Sequence, residues 1–498
     1  MTKNIRVTYS GLTGFLINGF TMVTGLIFIL IVTRNLQPNE LGTWGLIGSL
    51  LTYVIILEPI ISYWTIREIA RGMESGKTSF ISSGLFSIFG IIGFLIISYL
   101  ISGPTGTDLS VLFFASILIP FTFLNRTLSA IAIGSQPHIN NLGVAIFDIS
   151  KIPLAAIFIL FFDLSLFGAI LSTALANIPT IIFLSVKLRN ELKSKFQKHY
   201  LIGWLKRGWL PPFVKLPNLV VFDVLIFSLI TGSVNGIAYW VAANSIGNIV
   251  RHSGQISRAV YPKLLSGGKK EYLQSNFILF LYFSFPILMI SIVFSKAGLY
   301  ILNPIYADAY LIVIFISIRA LLRQIGFTFT QAIEGIDEVD KKKSSIKEYL
   351  KSSLFYIPTF RLLRRFFYLT LVSIGLYVLL QYDASEMMLL TYWSAAFMIV
   401  EIPFTIYYIK MSRKDFPINL ELKPIFKYFV LSIIIFSLVY LLLENFLVYD
   451  DSIFIFIPNL IPFLLLGILV YFGLTYLVDK KTRKLFKAVI HELKNIRK

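Results

Sequence analysis

The residues able to do chemistry in this chain are arginines and a few carboxylates embedded in apolar sequence. Arg319 and Arg323 stand one helical turn apart, and Arg251 and Arg258 stand two turns apart, so each pair shares one helix face. Arg126, Lys151 and Lys215 lie within other apolar stretches, and the acids at comparable positions are Glu58, Asp148, Asp223 and Glu401, with Glu334 near a helix end. An ionisable group at bilayer depth costs at least a few kcal/mol and therefore faces a partner or a water-filled cavity. Asp148 and Lys151 are three residues apart and are expected to neutralise each other. Lys215 is close enough to the membrane surface to snorkel. Arg251, Arg319 and Arg323 have no acid nearby in sequence, which predicts a cationic cavity. Guanidinium forks pair bidentately with phosphate oxygens, so the cavity suits a phosphate or diphosphate. Asp223 is a lone carboxylate that either pairs with a cavity arginine or binds a coupling proton or sodium ion. We expect pairing.

Other chemical signatures fail on spacing. Gly72-Met-Glu-Ser-Gly76-Lys77-Thr78 is one residue short of a phosphate loop and follows an apolar helix rather than a strand. Asn125-Arg126-Thr127 is a glycosylation sequon by letter but lies inside a span. His138, His199, His252 and His491 are scattered without metal-ligand spacing. Cysteine is absent, which removes disulfides, thiolate metal sites and thiol nucleophiles. Neither a Ser/His/Asp set nor a paired-carboxylate site is discernible, so no enzyme, cofactor or metal is expected.

The elements that hold these charges are membrane helices. Of 498 residues, 56% are hydrophobic and only 14% charged, with mean hydropathy +0.78. A soluble fold would leave far too much apolar surface in water. The predicted fold is an all-α polytopic membrane protein. Its spans fall near 8–32, 41–63, 80–101, 109–133, 141–162, 164–186, 209–231, 236–262, 276–294, 307–330, 362–381, 385–409, 425–444 and 453–478. The first run is too long for a signal peptide and has no cleavage site.

The formal charge of +19 then explains itself by placement. Of 45 Lys and Arg, only Arg34 and Lys296 fall in loops from odd to even spans, and seven lie inside spans. The rest occupy the termini, the even-to-odd loops or the ends of the spans bordering those loops. That asymmetry predicts a cytoplasmic-membrane protein with both termini in the cytoplasm, and it leaves no need for nucleic acid as a partner. Two basic segments read as amphipathic helices on the membrane surface. In 189–207 the apolar stripe is Leu192, Phe196, Tyr200 and Trp204; in 479–498 it is Leu485, Val489, Leu493 and Ile496. The outer loops are short, which argues against a membrane glycosyltransferase or polymerase.

The two halves echo one another. "LGTWGLIGS" opening span 2 is similar to "IAYWVAANS" opening span 8, and "LNRTLSAIAIGSQP" and "FTFTQAIEGIDEV" close spans 4 and 10 alike. The expected organisation is an N-lobe (1–186), a basic linker (187–208), a C-lobe (209–410), two further spans (411–478) and a basic tail (479–498).

These residues carry a specific resemblance. "RNLQPNELGTWGLIGSL…REIAR", "LPNLVVFDVLIFSLITGSVNGIAYWVAANSIGNIV", "ISRAVYPKLLSGG", "PIYADAY" and "AIEGIDEV" resemble the polysaccharide transporter family. These are Wzx-type flippases of the multidrug/oligosaccharidyl-lipid/polysaccharide (MOP) exporter superfamily. The resemblance covers most of 1–340; the last third matches mainly in span count. It implies a flippase for a polyprenyl or dolichyl diphosphate-linked oligosaccharide, working by alternating access; we expect a monomer, with coupling to protons, sodium or the membrane potential as the energy source. The lobes would rock about a cavity lined by spans 1, 2, 7 and 8, with the lipid tail passing along spans 13–14. Arg251, Arg319 and Arg323 would hold phosphate, and Arg34 or Arg67 would gate the two mouths. A multidrug and toxin extrusion (MATE) antiporter or a lipid II flippase would share this frame, but the arginine bias of the interior argues against a carrier of cationic drugs.

Overall fold

The computed structural model describes residues 2–208, 211, 222–259, 270–336, 350–415, 421–479 and 482–483. Lys215, the start of span 7 and the tail beyond 483 lie outside the described residues. The described chain is all helical, and eleven of its helices are long and apolar enough to cross a membrane. They match predicted spans 2–6 and 9–14 one for one. The other three predicted spans coincide with the Thr2–Asn35 helix, the Phe222–Thr231 helix and the Asn235–Gly247 helix that runs on into Asn248–Ala259.

Several spans are discontinuous, and local sequence explains most of the breaks. Span 2 runs as Pro38–Val54, a 3-10 turn at Ile55–Leu57, then Pro59–Ala70. Pro59 has no N–H to donate back into the preceding turn, and the buried Glu58 sits at the break. Pro153 stands just before a π-helical stretch, Ala156–Phe161, that closes span 5. Span 8 changes from α to 3-10 geometry for twelve residues, Asn248–Ala259. Runs beyond three or four residues are uncommon, because the hydrogen bonds are poorer and side chains eclipse. Span 11 starts earlier than hydropathy predicted: it covers Ser353–Gln381, and Arg364 and Arg365 are buried within it.

The described chain divides into two compact units, one of 1–245 with 341–400 and the other of 246–340 with 401–498. In the first, the openings of spans 2 and 8 touch directly. A Cβ on Gly42 would run into the Val234 carbonyl, and one on Gly45 would meet Ile237 Cγ2 and Val241 Cγ2 at 2.7 Å. The two segments that resemble each other in sequence are thus packed together, on glycines that allow backbone approach. Small polar contacts bind other helices: the Thr65 and Ser79 hydroxyls are 2.7 Å apart, and Asn125 Nδ2 donates to Asn177 Oδ1 at 2.8 Å. Each such bond contributes about 0.6 kcal/mol in membrane bundles.

Part of the predicted stripe of the 189–207 linker turns inward onto protein, while Phe196 stays exposed. Trp204 is fully buried against Ile61 and Trp64 of span 2, with Tyr200 and Leu201 packed on the same cluster. The Trp204 indole donates to Glu68 Oε1 at 3.0 Å, and the Arg207 guanidinium stacks 4.2 Å above Trp64. The near-miss phosphate loop serves as the docking surface for this linker. Thr78 Oγ1 accepts from the Gln197 N–H at 2.9 Å, and a Cβ on Gly76 would stand 2.6 Å from the Glu191 carbonyl.

In the second unit, spans 13 and 14 are fastened to span 9. Tyr282 Oη lies 2.9 Å from Thr475 Oγ1, Tyr471 Oη donates to the Tyr282 carbonyl at 2.9 Å, and Tyr428 donates to Asp479 at 2.5 Å. At the opposite ends of these helices Tyr300 Oη donates to Asp451 Oδ1 at 2.8 Å.

Candidate functional site

The second unit gathers three of the predicted arginines on two packed helices. Gly247 fits against Val313 and Ile316 of span 10, and Gly254 fits against Gln324. The 3-10 run between those glycines carries Arg251, and the stretch of span 10 it lies along carries Arg319 and Arg323. Arg319 is buried, Arg323 half-buried and Arg251 exposed. Buried hydroxyls hold this arrangement: Ser284 donates to Ser253 at 2.9 Å, and Ser291 and Ser317 are 2.7 Å apart. Glycine supplies the close approach and serine the adhesion, so the arginines stand on stretches that are packed and hydrogen-bonded into one group.

One expectation is corrected here. Arg319 does have an acidic partner: its Nε lies 3.6 Å from Glu401 Oε2 of span 12, both side chains being almost fully enclosed. Thr405, one turn further along span 12, donates to the Leu322 carbonyl at 3.2 Å and fixes the register of the two helices. The partner was invisible to a search along the helix because it is 82 positions away. Pairing offsets part of the desolvation cost that each enclosed charge carries.

Asp223 lies in the first unit, buried and held by aromatic groups. Tyr368 Oη donates to Asp223 Oδ2 at 2.7 Å, and the Trp393 indole donates to Tyr368 Oη at 2.7 Å. Trp393 stacks on Trp240 with ring centroids 3.8 Å apart and on Phe227 at 5.0 Å. Arg365 places its guanidinium 5.9 Å from the Tyr368 ring and 5.6 Å from that of Phe397. Arg364 and Arg365, which by charge placement belong to the end of a span bordering a basic loop, are buried instead. The signal that could have found Arg365 is its spacing, one turn before Tyr368.

The remaining predicted residues are dispersed. Asp148 and Lys151 share one helix face and interact electrostatically; the Lys151 ammonium also lies 4.3 Å from the Phe28 ring centre and 5.2 Å from that of Phe147. Arg126 is exposed on span 4 and Arg34 half-buried in the last turn of span 1. Arg67 is exposed and stacks 4.6 Å above Tyr63, in the last turn of span 2.

With this geometry in view, comparisons with known proteins identify the fold. No protein-family model matches the chain, and no curated protein sequence does. Solved structures do match. A structure described as "Lipid II flippase MurJ, inward closed conformation" superposes with TM-score 0.63 at 15% identity, covering 95% of this chain and 100% of that one. An inward-facing multidrug resistance MATE family transporter of the MOP superfamily gives TM-score 0.59 at 18% identity, covering 79% of this chain and 95% of its own. A MOP superfamily transporter from Pyrococcus furiosus, whose description notes a binding pocket of reversed polarity, gives 0.53 at 15% identity over 81% of this chain and 94% of its own. The chain thus has the fold of MOP superfamily transporters.

Proposed function

We propose that this protein is a flippase that moves a diphosphate-linked oligosaccharide on a polyprenyl or dolichyl carrier across the cytoplasmic membrane by alternating access. The observation that carries this reading is the arginine strip on spans 8 and 10, set where span 8 abandons α geometry. Discontinuous helices at corresponding places in two halves are the usual mark of a transporter's binding region, and the Ile55–Leu57 turn of span 2 answers the Asn248–Ala259 run of span 8 in the sequence repeat. Arg251, Arg319 and Arg323 engage the diphosphate, with Glu401 holding Arg319 until an anion competes for its guanidinium.

The cargo's lipid character draws support from the extent of the likeness. The flippase structure spans nearly the whole chain, including the region of spans 13 and 14, whereas the inward-facing MATE structure leaves about a fifth of it unmatched. Spans 13 and 14 present exposed Leu438, Leu441, Leu465 and Leu469, a surface along which a prenyl tail travels in the bilayer. Lipid II is the alternative cargo, with the same diphosphate chemistry. The six-plus-six-plus-two division into lobes, the cytoplasmic termini, a monomeric state and coupling to a proton, sodium ion or membrane potential belong to the same proposal. Asp223 serves it as a structural acceptor for Tyr368 rather than as the coupling site.

The test is a reconstituted flipping assay with a fluorescent polyprenyl diphosphate-linked sugar. Arg319→Gln with Arg323→Gln is expected to abolish flipping while leaving membrane insertion intact. Full transport by that double variant would overturn the cationic-site reading.

A further inference from the structure

The linker between spans 6 and 7 has two faces, and only one of them is used by the contacts described above. In the Lys198–Lys206 helix, Tyr200 and Trp204 point into the bundle. At 100° per residue, Lys198, Ile202 and Leu205 share the opposite face. Ile202 and Leu205 are 41% and 52% exposed, Phe196 just before the helix is 41% exposed, and Lys198, His199 and Lys206 are exposed around them. Among the described residues neither Lys198 nor Lys206 forms an ion pair. The nearby acids sit elsewhere: Glu74 and Glu191 line a cleft of about 600 Å³ together with Lys193 and Lys195.

We infer that this outward face, Lys198, Ile202, Leu205 and Lys206 with Phe196 at its edge, binds the anionic lipid surface of the adjacent leaflet. The argument is one of chemistry and place. Exposed aliphatic side chains interleaved with lysines are the composition of a helix seated at a headgroup boundary. The linker follows directly on a membrane helix: its own helix starts only eleven residues after Lys187, the last residue of span 6. The inner face is meanwhile fastened by the Trp204–Glu68 bond and by Arg207 on Trp64. The linker is therefore a strap, with one side on the end of span 2 and the other on lipid charge. The inference rests on the chain being a polytopic membrane protein and not on its cargo, so it can fail or hold independently of the flippase reading.

The chain has no cysteine, so Ile202→Cys gives a single labelling site. The full-length variant carrying a bimane label is reconstituted in phosphatidylcholine vesicles with or without phosphatidylglycerol. Quenching by a nitroxide lipid labelled near its headgroup reports contact with the leaflet. Strong quenching is expected with phosphatidylglycerol, weakened by high salt, which screens surface charge. Lys198→Gln with Lys206→Gln should lower the ratio of attached to detached linker by roughly thirty-fold, from the attraction expected of two lysines at an anionic surface. Quenching that is absent in both lipids would overturn the inference. So would equal quenching in both that ignores salt and the lysine variant, since that outcome describes an apolar contact without charge recognition. If the lysine variant does not fold, the salt and lipid dependence of the Ile202→Cys protein alone decides the question.

Discussion

Removing the carboxylate of Glu401 is the perturbation whose consequence follows most directly from the structure. Arg319 Nε and Glu401 Oε2 are 3.6 Å apart with both side chains almost fully enclosed. At an effective dielectric of 20 two unit charges at that distance attract by about 4.6 kcal/mol. Desolvation consumes much of this, so the pair contributes little net stability compared with two neutral groups. The loss of one member is another matter, because it leaves a charge enclosed without its counterion, at about 3–5 kcal/mol. Glu401→Gln and Arg319→Gln should each lower the thermal unfolding midpoint in detergent markedly. The double variant should recover most of that loss, with a coupling energy of at least about 2 kcal/mol between the sites. Transport separates structure from function in the same set of proteins. If Arg319 holds the diphosphate, the stable double variant still fails to flip a lipid-linked sugar. Additive losses, with coupling under about 0.5 kcal/mol, would refute the ion-pair argument. Full transport by the double variant would refute the assignment of Arg319 to the cargo.

The Asp223 cluster and the seam between spans 2 and 8 allow two further checks. Tyr368→Phe deletes the hydroxyl that donates to Asp223 Oδ2 and leaves the buried carboxylate with the Val224 N–H on its other oxygen, which should cost about 1–3 kcal/mol. Asp223→Asn keeps a carbonyl acceptor for Tyr368 and should cost less; the opposite order of stabilities would mean that the carboxylate is not held as described. Transport by Asp223→Asn should retain its ion dependence, and its loss would instead identify Asp223 as the coupling site. Gly45→Cys paired with Val241→Cys places two thiols where Gly45 already adjoins the Val241 side chain. Oxidation should join spans 2 and 8 and stop transport, with recovery on reduction. Undiminished transport by the oxidised protein would show that this seam need not open.

The architecture was largely legible because lipid imposes a single rule on every span: about twenty apolar residues, with backbone hydrogen bonds closed inside the helix. Among the described residues, eleven helices meet that rule outright. The breaks were partly readable and were read past. Glu58-Pro59 announces the interruption of span 2, since proline restricts the residue before it and removes a donor. The change in span 8 has weaker signals, namely Gly247, Asn248, Ser253 and Gly254 inside an otherwise acceptable apolar window. Partners were not legible. Arg319 finds Glu401 and Asp223 finds Tyr368 across 82 and 145 positions, and sequence periodicity describes faces, not what meets them.

The linker shows where that limit lies. Its amphipathic stripe was correctly periodic, and the error was in the choice of solvent. Tyr200 and Trp204 would leave water for lipid or for a protein surface with comparable gain, because both are apolar. The indole N–H decides between them. Inside the bundle it donates to Glu68 at 3.0 Å, a charge-assisted bond, whereas the acyl region of a bilayer offers no acceptor and leaves the donor unmet. Glu68 has the complementary need, since a buried carboxylate without a donor pays its full desolvation cost. Each group makes the other's burial affordable, so the docking of the linker and the enclosure of the acid at the end of span 2 are one event.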